Sequence, residues 1–269
     1  MKKNASILSI AYFTFLLLVV LSEGLVGIAS DVMYYLAFIV PFFAVIAFID
    51  RKMPAICEFS FSGAAKRLFL PTVFPTVLVI SVLSALTAFV ISLLGGGASA
   101  RDVGDDLLFA LLYYALLPSI LEELLFRYLP MRYIAPYSKR YAVIFSAVFF
   151  SLSHHSFFSI PYALFAGATF MTLNILCESS LPSVILHFVN NCISVVWMMY
   201  FRGEVSAYFL FAALLVPSVI SLPVIFKLRK SYIASLKEIF SDKGEGGIAL
   251  PMIFAVFVSV LAAVIELAV

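Results

Sequence analysis

Apolar residues run along this chain in long blocks, broken by short polar stretches. A bilayer core of about 30 Å needs roughly 20 apolar residues per helix. By that measure the pattern predicts spans near 7–28, 32–49, 70–94, 107–132, 141–159, 161–178, 182–201, 205–226 and 248–268. Only Phe158-Ser159-Ile160-Pro161 separates the fifth from the sixth, so the two read as a tight hairpin or a partly re-entrant pair. Pro161 suits the first turn of the sixth. Residues 51–69 and 227–247 read as interfacial or loop segments, the second moderately amphipathic. The first block is longer than a signal-peptide core and lacks a clear small-residue cleavage site, so it is read as a retained helix. The expected fold is all-α, a polytopic transmembrane bundle of eight to nine spans. Residues 1–269 form one membrane domain, with no internal repeat and no soluble domain.

Composition agrees. Apolar residues make up 64% of the chain and charged ones 12%, against about 45–50% and about 25% in ordinary globular proteins. So apolar a chain cannot keep its surface polar, and lipid must be its solvent. A net charge of +2, with no basic run interleaved with aromatics, argues against a nucleic-acid partner. Cys57, Cys177 and Cys192 have no metal or disulfide spacing and read as small hydrophobes.

The basic residues set the orientation. Lys2 and Lys3, then Arg51, Lys52, Lys66 and Arg67, then Arg132, Lys139 and Arg140, then Lys227, Arg229, Lys230, Lys237 and Lys243 share one side if the spans alternate. The opposite loops are poor in them, so the N-terminus is expected to be cytoplasmic.

Within the apolar blocks a few polar residues stand out: Glu122, Glu123 and Arg127; His154 and His155; His187 and Asn191; and Glu23. An ionisable group at mid-membrane costs at least ~2.5–3.5 kcal/mol on insertion scales, which makes each a functional candidate. All three histidines of the chain are among them. Glu123 and Arg127 stand i,i+4 with the acid N-terminal, the favourable order for a helical ion pair. Glu122 points about 100° away from that pair. Pro118, four residues before Glu122, should kink the helix or open its backbone ladder. At ~1.5 Å per residue from the cytoplasmic boundary, Glu122 lies about 16 Å deep, His154 about 21 Å and Asn191 about 14 Å. Three helices thus bring complementary polar groups to one level.

Glu122-Glu123-Leu124-Leu125-Phe126-Arg127 reads EExxxR, Phe150 with His154 reads FxxxH, and His187 with Asn191 reads HxxxN. In this order and spacing they resemble the CAAX protease and bacteriocin-processing family of intramembrane endopeptidases, also called Abi, which includes the type II CAAX prenyl endopeptidases. The likeness covers about 107–201, the expected catalytic helices. It implies a glutamate-dependent peptidase acting on a membrane-associated peptide or protein. Glu122 would activate water with His154, His187 and Asn191 would stabilise the oxyanion, and Glu123 and Arg127 would support the site. No cofactor is implied, although two histidines and a glutamate would also serve zinc, and no HExxH signature is present.

Other readings stand beside this one. Glu123–Arg127 is a structural pair on its simplest reading, and His187 with Asn191 would also serve as interhelical glue. His155, Glu23, Asn174 and Asn190 read as packing or hydrogen-bonding devices. A catalytically silent scaffold or bacteriocin self-immunity protein of the same fold is the alternative function. A transporter is weaker, since no paired halves with broken helices are visible. Whether the substrate is prenylated is not written in these residues.

Overall fold

The computed structural model describes residues 2–49, 67, 69–93, 104–154, 157–201 and 204–241, with the single positions 253, 256 and 260. Every element among them is helical: α1 Lys2–Glu23, α2 Ile28–Ile49, α3 Leu70–Leu93, α4 Leu107–Tyr133, α5 Lys139–Leu152, α6 Ile160–Cys177, α7 Leu181–Tyr200 and α8 Glu204–Ser241. Seven of these, all but α5, are long and apolar enough to cross a membrane. The chain is therefore an integral, multi-pass membrane protein. The ninth span expected at 248–268, apart from Ile253, Val256 and Val260, and the expected interfacial segment 51–69, apart from Arg67 and Phe69, lie outside the described residues.

Two expectations are corrected. The fifth helix, expected over 141–159, is only the 14-residue α5, about 21 Å long and too short to cross a core of about 30 Å. It stops where Ser153 Oγ and His154 Nδ1 both bond the Phe150 carbonyl, at 2.8 and 2.9 Å. Side chains there take over the role of the next helical turn. The eighth helix, expected to end at 226, runs unbroken for 38 residues, about 57 Å. The stretch 227–241 contains no glycine or proline to stop it.

α1 and α2 form a hairpin that turns at Gly27, whose φ of 62° suits a residue without a Cβ. Its inner face is aromatic. Tyr12 and Phe15 pack on Phe38, Phe126 and Phe149, with ring centroids 4.3 to 6.1 Å apart. α5 and α6 lie unusually close, since a Cβ placed on Gly167 would come within 2.7 Å of Ala147 Cα.

α4 is the irregular element, and its two prolines explain it. π-helical turns occupy Leu111–Leu116 and Leu124–Tyr128, and each closes just before a proline. Leu117 N–H bonds the Leu112 carbonyl and Leu129 N–H the Leu124 carbonyl, both five residues back. The next residues, Pro118 and Pro130, have no N–H to continue the ladder. In that register Pro118 leaves the Tyr113 carbonyl without its helical donor, and Tyr35 on α2 supplies one at 3.0 Å. The expected opening at Pro118 thus takes the form of a wide turn on either side of Glu122 and Glu123.

Candidate active site

Glu122 and Glu123 sit on the short α-helical stretch Leu117–Glu123 between the two π turns. Glu123 is 1% exposed and pairs with Arg127, whose Nη1 is 3.0 Å from Glu123 Oε1 and whose side chain is fully buried. The pair is not left to carry itself. Phe150 lays its ring 3.7 Å from the guanidinium carbon, and Phe170 stands 5.4 Å away. Aromatic faces attract a desolvated cation. Arg127 Nε, Nη1 and Nη2 make no well-directed hydrogen bond among the described residues, so the Nη1 contact with Glu123 is an ion pair.

His187 comes from the first half of α7 and is 6% exposed. Its Nδ1 is 2.8 Å from Glu123 Oε1, and its Nε2 is 3.7 Å from Glu122 Oε2. A carboxylate paired with Arg127 accepts, so Nδ1 carries the hydrogen and donates it. The second nitrogen then faces Glu122 at a distance slightly too long for a direct bond. Glu123 and Glu122 thus flank one imidazole, one tied to it and one facing it.

His154 lies just past the end of α5 rather than within it, which the sequence-based placement on a continuous helix missed. Since the Phe150 carbonyl can only accept, His154 Nδ1 donates to it, and Nε2 keeps its lone pair. The ring is fixed by two edge-on neighbours, Phe150 at 4.9 Å and Tyr162 at 6.1 Å. Phe150, visible in the sequence only as a spacing marker, is the hub of the site. Its ring touches Arg127, His154 and, at 5.8 Å, His187.

One cavity of about 890 Å³ joins Glu122, His154, His187 and Asn191. Glu123 and Arg127 stand behind its wall. Asn191 Oδ1 accepts from Asn190 at 3.4 Å, and both asparagines line the cavity. The same space reaches Glu23 and Asp31 at the α1–α2 turn, so Glu23 is an exposed residue of the cavity mouth rather than a packing device. His155 lies outside the described residues. Among the described residues no group of three His, Cys, Asp or Glu side chains comes together to hold a metal ion. Asn174 and Ser183, both fully buried, hydrogen-bond each other behind the site. Asn174 is thus the hydrogen-bonding device expected of it, with a partner that spacing alone does not show.

Residues 104–193 match the family model described as type II CAAX prenyl endopeptidase Rce1-like. That stretch contains all six expected site residues and runs from the start of α4 into α7, so this part of the chain is similar to a family of membrane endopeptidases. No curated protein and no solved structure matches the chain.

Proposed function

We propose that the protein is an intramembrane glutamate-type endopeptidase, hydrolysing a peptide bond in a membrane-associated substrate. The observation that carries this reading is the shared cavity wall of Glu122, His154, His187 and Asn191, backed by the buried Glu123–Arg127 pair. Glu122 takes a proton from a water molecule while His154 Nε2 accepts that water's other hydrogen as a bond. The water oxygen attacks the carbonyl carbon. His187 Nε2, opposite Glu122, receives the proton, and the new N–H together with the Asn191 amide faces the oxyanion. Glu123 balances the charge that His187 then carries. When the tetrahedral intermediate collapses, the carbon–nitrogen bond breaks and the proton passes to the leaving amine. Donors aimed at developing charge in a dry site contribute several kcal/mol to such a step. Reaction through these groups calls for no metal.

The experiment is cleavage of a panel of prenylated and unlipidated reporter peptides by the purified protein in detergent, with Glu122→Ala alongside. Loss of a general base lowers turnover by roughly 10²–10⁴, and that loss is the expected result, with no effect of chelator. Equal cleavage by wild type and Glu122→Ala would sink the assignment, and chelator-sensitive cleavage would replace it with a metal-dependent one. The peptide preferred by the wild type identifies the substrate class.

A further inference from the structure

The cavity that joins the candidate catalytic residues occupies one half of the bundle. Asn4 meets the Tyr133 carbonyl at 3.1 Å, Lys139 meets Glu238 at 2.6 Å and Ser180 meets Met131 at 3.9 Å. These contacts bring the start of α1, the end of α4, the start of α5, the α6–α7 turn and the end of α8 to one level, the basic face of the bundle. Counted from that face, each helix lines the cavity only beyond a certain residue. The lining starts at Val19 on α1, at Glu122 on α4, at Phe150 on α5 and at His187 on α7. From there it runs toward the opposite face, as far as Glu23, Tyr113 and Met198. At ~1.5 Å per residue, Glu122 to Tyr113 spans about 14 Å and His187 to Met198 about 17 Å. Extended peptide advances about 3.3–3.4 Å per residue, so the cavity takes about four to five residues of it.

On the basic side of the candidate catalytic residues the bundle is closed. Tyr12 and Phe15 from α1, Phe126 from α4 and Phe149 from α5 are all buried, and their rings pack with centroids 4.3 to 6.1 Å apart. Met171 and Leu186, each one step nearer the basic face than the lining residues Phe170 and His187, are fully buried. Among the described residues, no side chain on the basic side of this layer lines the cavity. Protein interiors are packed as densely as organic crystals, so a peptide arriving from the basic face has to break a core apart. One arriving from the opposite face passes the exposed Glu23, Asp31 and Ala88 and meets open space.

Resting on the peptidase reading of the site, we propose that the substrate reaches Glu122 from the face opposite the basic helix ends, as an extended segment of about four to five residues. With the N-terminus inside, as the lysines and arginines lead one to expect, that face is the outer one. The substrate is then a peptide segment exposed on the outside of the membrane rather than a tail presented in the cytoplasm.

The route is tested on purified protein in detergent, where both faces are open to water. In a background with Cys57, Cys177 and Cys192 replaced by alanine, single cysteines replace Asp31 or Ala88 at the cavity, or Lys3 or Lys237 on the basic face. Each is joined to a maleimide carrying a long polyethylene glycol chain, and cleavage of the reporter peptide preferred by the wild type is compared before and after labelling. Labelled Asp31→Cys and Ala88→Cys should lose cleavage, and labelled Lys3→Cys and Lys237→Cys should keep it. The reverse pattern, or cleavage untouched at both cavity positions, would overturn the route. Two cavity positions on different helices guard against one that does not fold. The side of the membrane is read with the same peptide fused to a folded carrier protein that cannot cross a bilayer. Cleavage by right-side-out membrane vesicles alone is expected, and cleavage by inverted vesicles alone would overturn an external substrate. If the wild type in detergent cuts no peptide, the peptidase reading fails. Ser194→Cys, inside the cavity, should even then react with an impermeant maleimide in right-side-out vesicles and not in inverted ones. The opposite reactivity would overturn the route by itself.

Discussion

At the scale of single residues, the site is a stack in which each charge is held by a group of another kind. Arg127 is paired with Glu123 on one side and faces Phe150 on the other, and Phe150 in turn touches both histidines. Breaking a buried pair by removing one partner costs about 3–5 kcal/mol, because the remaining charge is stranded, whereas replacing both with apolar groups is often close to neutral. Arg127→Met should therefore lower unfolding free energy in detergent by about that amount, and Arg127→Met with Glu123→Leu should recover much of it. A double variant as unstable as the sum of its singles would show that the two side chains do not act as a pair. Much of this was legible in the sequence. The i,i+4 order of Glu123 and Arg127 predicted their bridge, and the matching depths of Glu122, His154 and Asn191 agree with the one cavity that they line. What spacing could not show is contact across helices. Nothing in a linear pattern says that Ser183 meets Asn174, or that the phenylalanine of FxxxH lies against an arginine on the preceding helix.

Among elements, the geometry depends on two irregularities and one close approach. Pro118 announced an opening in α4. That it would appear as two π turns bracketing Glu122 and Glu123 depends on Pro130 as well, and on Tyr35 supplying the Tyr113 carbonyl from another helix. The end of α5 departs from the expected one for a related reason. An apolar run sets how far a helix could go in lipid, but here Ser153 and His154 bond the last-turn carbonyl and stop it short. His154 therefore takes its position from the tip of α5, and α5 takes its position from α6. At their crossing Gly167 leaves no room for a side chain against the Ala147 backbone. Gly167→Ala must push the two helices apart, and such overpacking costs typically about 1–3 kcal/mol. A lower unfolding midpoint and reduced peptide cleavage are expected together, because the displaced helix carries His154, which binds the attacking water in the proposed mechanism. Wild-type stability and wild-type cleavage in this variant would mean that the contact is not tight.

Across the whole molecule, the contacts between distant helices sort the helix ends onto two sides. Asn4 Nδ2 donates to the Tyr133 carbonyl at 3.1 Å, joining the start of α1 to the end of α4. Lys139 Nζ lies 2.6 Å from Glu238, joining the start of α5 to the far end of α8. Ser180 and Met131 are 3.9 Å apart, which brings the α6–α7 turn to the same level. Lys2, Lys3, Arg132, Lys139, Arg140 and Lys237 thus gather around one face, and the acidic turn residues Glu23, Asp31, Asp105 and Asp106 follow helices that run away from it or precede one that runs toward it. The ion pair at Lys139 is exposed and contributes little stability, yet it shows where α8 ends. At about 57 Å that helix outruns a bilayer core of about 30 Å, and the excess is the basic stretch from Lys227 onward. From the bias of lysine and arginine toward the cytoplasm we propose that the bundle sits with its N-terminus inside. In a background with Cys57, Cys177 and Cys192 replaced by alanine, single cysteines at the exposed positions Lys3, Asp105 and Lys237 can be probed in intact cells with a membrane-impermeant maleimide. Asp105→Cys should react from outside, and Lys3→Cys and Lys237→Cys only after the cells are opened. Reaction of Lys3→Cys in intact cells would reverse the orientation and place the cavity mouth at Glu23 and Asp31 toward the cytoplasm, where a cytoplasmic peptide would enter it. Opposite behaviour of Lys3→Cys and Lys237→Cys would instead mean that α1 through α8 do not alternate as their contacts imply, and the shared level of Glu122, His154 and His187 would have to be explained another way.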